Sequence, residues 1–208
     1  MLPPETAAAF FGASVVLALA PGPDNIFVLT QSALQGRRAG LLVTLGLCTG
    51  LLVHTTAVTL GVAAILQAST AAFTALKLAG AAYLLYLAGQ AFRAGAAAVP
   101  AGGRPLSAGR LYRRGIIMNV TNPKVSIFFL ALLPQFADPG RGRVPLQLIA
   151  LGGIFLVATL AIFGGVALAA GSLGERLSGS PRAQRAMQRV AGLVFLGLAV
   201  RLAVGGRH

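Results

Sequence analysis

Few residues in this sequence can do chemistry, and two of them occur in matching settings far apart in the chain. Asp24 follows Pro21-Gly22-Pro23 and precedes Asn25, while Lys124 follows Asn122-Pro123, with Asn119 and Thr121 just upstream. Proline removes a backbone donor and bars the residue before it from helical geometry, so each motif should break a helix that contains it. The first break should free carbonyls and start a new helix near Asp24. The N–H groups of Asn25, Ile26 and Phe27 and the positive dipole end of that helix would then face a cavity suited to a carboxylate. A carboxylate at one break and an ammonium at the other complement a zwitterion, with its ammonium on Asp24 and its carboxylate on Lys124 or the half-helix terminus. Two plainer readings stand beside this one: a structural Asp24–Lys124 ion pair, and proline kinks that serve helix packing alone.

The other reactive residues are sparse. His54 shares a face with Gly46, Gly50, Ala57 and Gly61, the close-packing side of its helix, which suits an interhelical hydrogen bond or a proton relay. With only His54 and His208 as imidazoles, no metal site is expected. The single Cys48 excludes an internal disulfide and reads as a small packing residue. Tyr83, Tyr86 and Gly89, and Phe128, Phe129, Pro134 and Gln135, are candidates either for lining a path or for ordinary packing. No Ser-His-Asp set, zinc-ligand spacing or phosphate loop is present, so an enzyme is not expected, nor any cofactor.

The elements that must hold these residues are membrane spans. The 208 residues are 56% hydrophobic and 10% charged, with a mean hydropathy of +0.81, whereas an ordinary soluble domain carries about 25% charged residues. Six windows reach the roughly 20 apolar residues that a spanning helix needs: 6–34, 41–66, 70–92, 115–136, 145–172 and 184–204. They predict an all-α membrane protein of one domain, 1–208, with helices 1 and 4 broken at their Pro motifs. The acidic start, Met1 to Glu5, argues for a retained first helix and not a cleaved signal peptide. The net charge of +13 does not point to nucleic acid, because the basic residues mark loops and helix ends. Arg37, Arg38, Arg93, Arg104, Arg110, Arg113, Arg114, Arg176, Arg182 and Arg185 fall on one side, and Arg141, Arg143 and Arg207 on the other. The excess of positive charge inside then places both termini outside the cytoplasm. Lys77 and Arg189, near opposite faces, read as snorkelling residues. The stretch 106–118, with arginines among apolar residues, suits a helix lying along the interface.

The chain also repeats itself. Lys77-Leu78-Ala79-Gly80-Ala81-Ala82-Tyr83-Leu84 aligns with Arg189-Val190-Ala191-Gly192-Leu193-Val194-Phe195-Leu196; Gly36-Arg37-Arg38 before Leu45-Gly46 aligns with Gly140-Arg141-Gly142 before Leu151-Gly152; and Pro23-Asp24 aligns with Pro123-Lys124. Three matches in one order predict two three-helix repeats, about 6–92 and 107–204, joined by a linker at about 93–106. Since three is odd, the second repeat would be inverted, an arrangement common in secondary transporters.

Leu19-Ala20-Pro21-Gly22-Pro23-Asp24, then Gln35-Gly36-Arg37-Arg38-Ala39-Gly40, then Asn122-Pro123-Lys124 with Phe129 to Phe136 resemble the lysine exporter family, nearest its homoserine/threonine efflux branch, over almost the whole chain. The resemblance implies efflux of small amino acids or their analogues across a bacterial inner membrane, driven by an ion gradient. It also implies that Pro21, Gly22, Pro23, Asp24, Asn122, Pro123 and Lys124 belong to the site. Protons are the expected coupling ion, with Asp24 the candidate carrier and His54 a second. The runner-up is efflux of another small solute, a cation or a drug-like molecule. The partners expected are an amino acid, the coupling ion and the lipid bilayer, and Gly-rich helix faces suit a homodimer as well as internal packing.

Overall fold

A computed structural model describes residues 2–20, 22–68, 70–93, 105–169 and 181–204. Pro21, the linker from 94 to 104, Arg104, Arg176, Arg207 and His208 lie outside the described residues. All regular structure among the described residues is helical. In chain order it comprises α1 (Pro4–Leu19), α2 (Pro23–Gln35), α3 (Arg37–Ala68), α4 (Thr70–Arg93), α5 (Ala108–Val120), α6 (Pro123–Phe136), α7 (Val144–Ala169) and α8 (Pro181–Val204).

The helix starts follow from local chemistry. Pro4, Pro23 and Pro123 each stand in the first turn of a helix, where a missing N–H leaves no hydrogen bond unmade. Between α2 and α3 the chain reverses through Gly36 at φ +81°, a left-handed conformation that a residue without a Cβ adopts at no steric cost. Inside α6 the ladder loosens into a π turn at Phe128–Leu132 and then tightens into a 3-10 turn at Leu133–Phe136, so that Phe128 and Phe129 both point inward.

The expected spans meet the structure in two ways. Helices α3 and α7 are each long and apolar enough to cross a membrane; α1 with α2, and α5 with α6, are so as bent pairs, with bends of 61° and 49°. The expected third and sixth spans exist as the helices α4 and α8, which pack on each other. The fourth span begins earlier than the window at 115. Leu111, Gly115 and Asn119 recur every fourth residue and form the buried stripe of α5, which lies against α3 and leaves Arg110, Arg113 and Arg114 on the exposed side. At that crossing Gly46 and Gly115 touch: a Cβ on Gly115 would sit 3.1 Å from the Cα of Gly46, so only small residues let the two backbones come so near.

The distribution of polarity is that of a membrane protein. Large apolar side chains face outward, among them Leu60, Leu146, Leu168 and Leu193. Asp24, His54, Asn119, Asn122, Lys124, Gln147 and Thr159 lie buried inside. In lipid each unsatisfied backbone polar group costs several kcal/mol, which is why broken helices occur there only where protein supplies the missing partners.

Candidate functional site

The two breaks lie against each other in the centre of the bundle, and the second supplies donors to the backbone and the carboxylate of the first. Helix α1 ends with carbonyls that have no partner further along its own helix. Lys124 Nζ donates to two of them, Leu17 O at 3.2 Å and Ala20 O at 2.9 Å, and Asn25 Nδ2 donates to Ala18 O at 2.7 Å. An ammonium at the C-terminus of a helix also meets the negative end of its dipole. The reverse contact comes from Asn122, whose Nδ2 donates to Asp24 Oδ2 at 3.0 Å. The Oδ1 of the same amide accepts the N–H of Lys124 at 3.0 Å and so caps α6.

Asp24 and Lys124 therefore line one pocket without a direct ion pair between them; each is held by a different group. Both are buried, at 3% and 9% exposure. Gly22 leaves room for the ammonium, since a Cβ there would stand 3.2 Å from Lys124 Nζ and make it give way by a few tenths of an ångström. Of the three N–H groups expected to face the cavity, that of Ile26 is engaged by Gly22 O at 3.1 Å, because the helix is already formed at that position.

His54 Nε2 lies 3.1 Å from Asn119 O. A carbonyl can only accept, so the imidazole is the donor, as an interhelical hydrogen bond requires. Gly46, Gly50 and His54 do share the face turned to α5: a Cβ on Gly50 would be 2.7 Å from Asn119 Oδ1. Gly61, expected on the same face, meets no neighbour within 4 Å.

The pocket is bounded by Leu17, Ala18, Asp24, Asn119, Lys124, Val125, Phe155, Thr159 and Phe163. Its empty space is about 270 Å³ with the open mouth included, and its centre has room for about one water. Asp24 Oδ1 has no hydrogen-bond partner in the protein, and neither has Asn119 Oδ1 or Thr159 Oγ1. A carboxylate oxygen left buried and bare is a costly feature unless something else binds it. Phe155, Thr159 and Phe163 form one stripe of α7 at helical spacing, a wall that the sequence reading missed. Tyr83, Tyr86 and Gly89 do not line the pocket. Nor do Phe128 and Phe129, which instead form aromatic contacts with Phe155, at 5.3 and 5.2 Å between ring centres.

A helical membrane protein with two interlocked helix breaks around a buried carboxylate and ammonium has the build of a transport protein. The LysE type translocator family model matches residues 15–206, and the chain belongs to that family. It is 35% identical over 201 residues to the homoserine/homoserine lactone efflux protein of Salmonella typhimurium, covering 96% of each chain. It is also 25% identical to the leucine efflux protein of Salmonella choleraesuis, covering 91% of each. No solved structure matches it.

Proposed function

We propose that this chain is a secondary transporter that exports small amino acids or close analogues, homoserine- or threonine-like, across the bacterial cytoplasmic membrane. The observation that carries the reading is the pocket itself, where one buried acid with a bare oxygen and one buried base stand on a shared cavity without pairing. An α-amino acid presents the complementary charges. Its ammonium would answer Asp24 Oδ1, and its carboxylate the Lys124 ammonium or the N–H groups at the start of α2. The efflux names of the relatives support the same direction of transport.

Six spans in two inverted three-helix repeats would then rock about this site, with both termini outside the cytoplasm. Several equivalences support the repeat. Pro23 and Pro123 both open a half-helix, each followed by a charge. The turns that follow each hold a glycine at positive φ, Gly36 in the first and, two residues past its aligned counterpart Gly140, Gly142 in the second. Gly46 and Gly152 both sit at tight helix crossings, and so do Gly80 and Gly192. Protons are the coupling ion in this proposal, with Asp24 as carrier, and His54 stands close behind as the group that fixes Asn119. Pro21, Gly22, Pro23, Asn25, Asn122 and Pro123 serve by shaping the breaks. Vesicles loaded with a panel of amino acids test the reading. Efflux of at least one should follow an imposed proton gradient and be lost in Asp24→Asn, and an Asp24→Asn variant with unchanged gradient dependence would remove Asp24 as the carrier.

A further inference from the structure

The helical hydroxyls follow a rule that Thr159 breaks. Thr44, Thr49, Thr55, Thr56 and Thr121 each return their hydroxyl to the carbonyl four residues earlier, as do Ser14, Ser32 and Ser126. Such back-bonding is the ordinary way for a hydroxyl to be satisfied within an apolar helix. Thr159 makes no such bond, although it is 2% exposed. Thr30 and Thr59 also lack a partner, but Thr159 alone of the three borders the pocket that holds Asp24 Oδ1.

Asp24 and Thr159, each with a buried oxygen that lacks a donor, therefore line one small pocket together with Phe155 and Phe163. A primary ammonium head is about the size of the single water that fits there, and it carries three N–H donors and no acceptor. The third orphaned oxygen, Asn119 Oδ1, abuts Gly50 and does not compete for this role.

We infer that Asp24 Oδ1 and Thr159 Oγ1 together form the subsite for the substrate's α-ammonium group, with Thr159 a substrate-binding residue on α7. The inference rests on the reading of the chain as an amino-acid exporter. It means that affinity for the amino group comes from both halves of the bundle, α2 from the first and α7 from the second. It also means that Thr159 serves every amino acid carried, whatever its side chain.

The test uses the purified chain in proteoliposomes, with L-homoserine, L-leucine and the N-methyl derivative of each as probes. Thr159→Val keeps the shape and removes the hydroxyl, and Thr159→Ser restores it. A hydrogen bond to a charged group translates into about a ten- to hundredfold effect, so Thr159→Val should raise KM by that factor for each amino acid the wild type carries. Thr159→Ser should return KM to near its starting value. The penalty that N-methylation imposes on the wild type should shrink in Thr159→Val, because the methyl then replaces an N–H with no partner to lose. If Thr159→Val is not recovered from the membrane, Thr159→Ala against Thr159→Ser gives the same comparison. An unchanged KM, or a rise confined to hydroxylated L-homoserine with the N-methyl penalty intact, overturns the inference while Asp24→Asn still abolishes export. A wild type that carries no amino acid overturns the exporter reading and this inference with it.

Discussion

The two helix breaks share a plan and differ in what they contribute. At each, a proline opens the second half-helix and an ionic residue follows it, Pro23-Asp24 in α2 and Pro123-Lys124 in α6. At the first, the cap position is Gly22, which has no side chain to close the helix. At the second it is Asn122, whose amide closes its own helix and reaches across to Asp24. The first break therefore offers acceptors, the loose carbonyls of α1 and a carboxylate, while the second offers donors, an amide and an ammonium. Two breaks with the same chemistry would leave the carbonyls of α1 without donors; here the second break supplies them and still leaves one carboxylate oxygen free.

The sharpest way to break this complementarity is to turn a donor into an acceptor. Asn122→Asp keeps an oxygen for the Lys124 N–H but faces Asp24 with a second carboxylate at 3.0 Å, where the amide nitrogen had donated. An uncompensated buried charge costs about 3–5 kcal/mol, so thermal unfolding in detergent should show a loss of that order and export should cease. A smaller effect is expected from filling the gap at the first break. Gly22→Ala puts a methyl 3.2 Å from Lys124 Nζ and 3.7 Å from its Cε, and should push the ammonium off the Ala20 carbonyl. The loss of one such bond is about 1–3 kcal/mol, read as a lower unfolding temperature and slower export in a protein that still folds.

The comparison also shows what the sequence could and could not convey. Proline acts on its own backbone, so both breaks, and the placing of Asp24 and Lys124 in the first turn of the following half-helix, were legible from residue type alone. The small-residue face of α3 was legible as well, because Gly46, Gly50 and His54 keep a helical period. The partners of Lys124 were not, since a helix-terminal carbonyl belongs to any residue and Leu17 and Ala20 carry no mark of it. That is why an ion pair with Asp24 looked natural and why the ammonium goes instead to backbone. Thr159 was hidden for a similar reason. It stands in a continuous apolar run of α7 whose composition says only that the helix is buried or spans a membrane. The helix at α5 was legible as a stretch along the interface, but its packing was not: the three arginines occupy the outer face of a helix whose inner face, Leu111, Gly115 and Asn119, lies against α3.

The charge exchange Asp24→Lys with Lys124→Asp tests the interlock most directly, with export and stability measured against the two single variants. An aspartate at 124 would face the carbonyls of Leu17 and Ala20, and a lysine at 24 would face the amide nitrogen of Asn122, so both contacts turn repulsive at once. The exchanged protein should be no more stable than the single variants and should export nothing. Recovery of export to near the level of the unaltered chain would contradict the account, because it would mean that the two charges answer chiefly to each other and not to the opposite helix break.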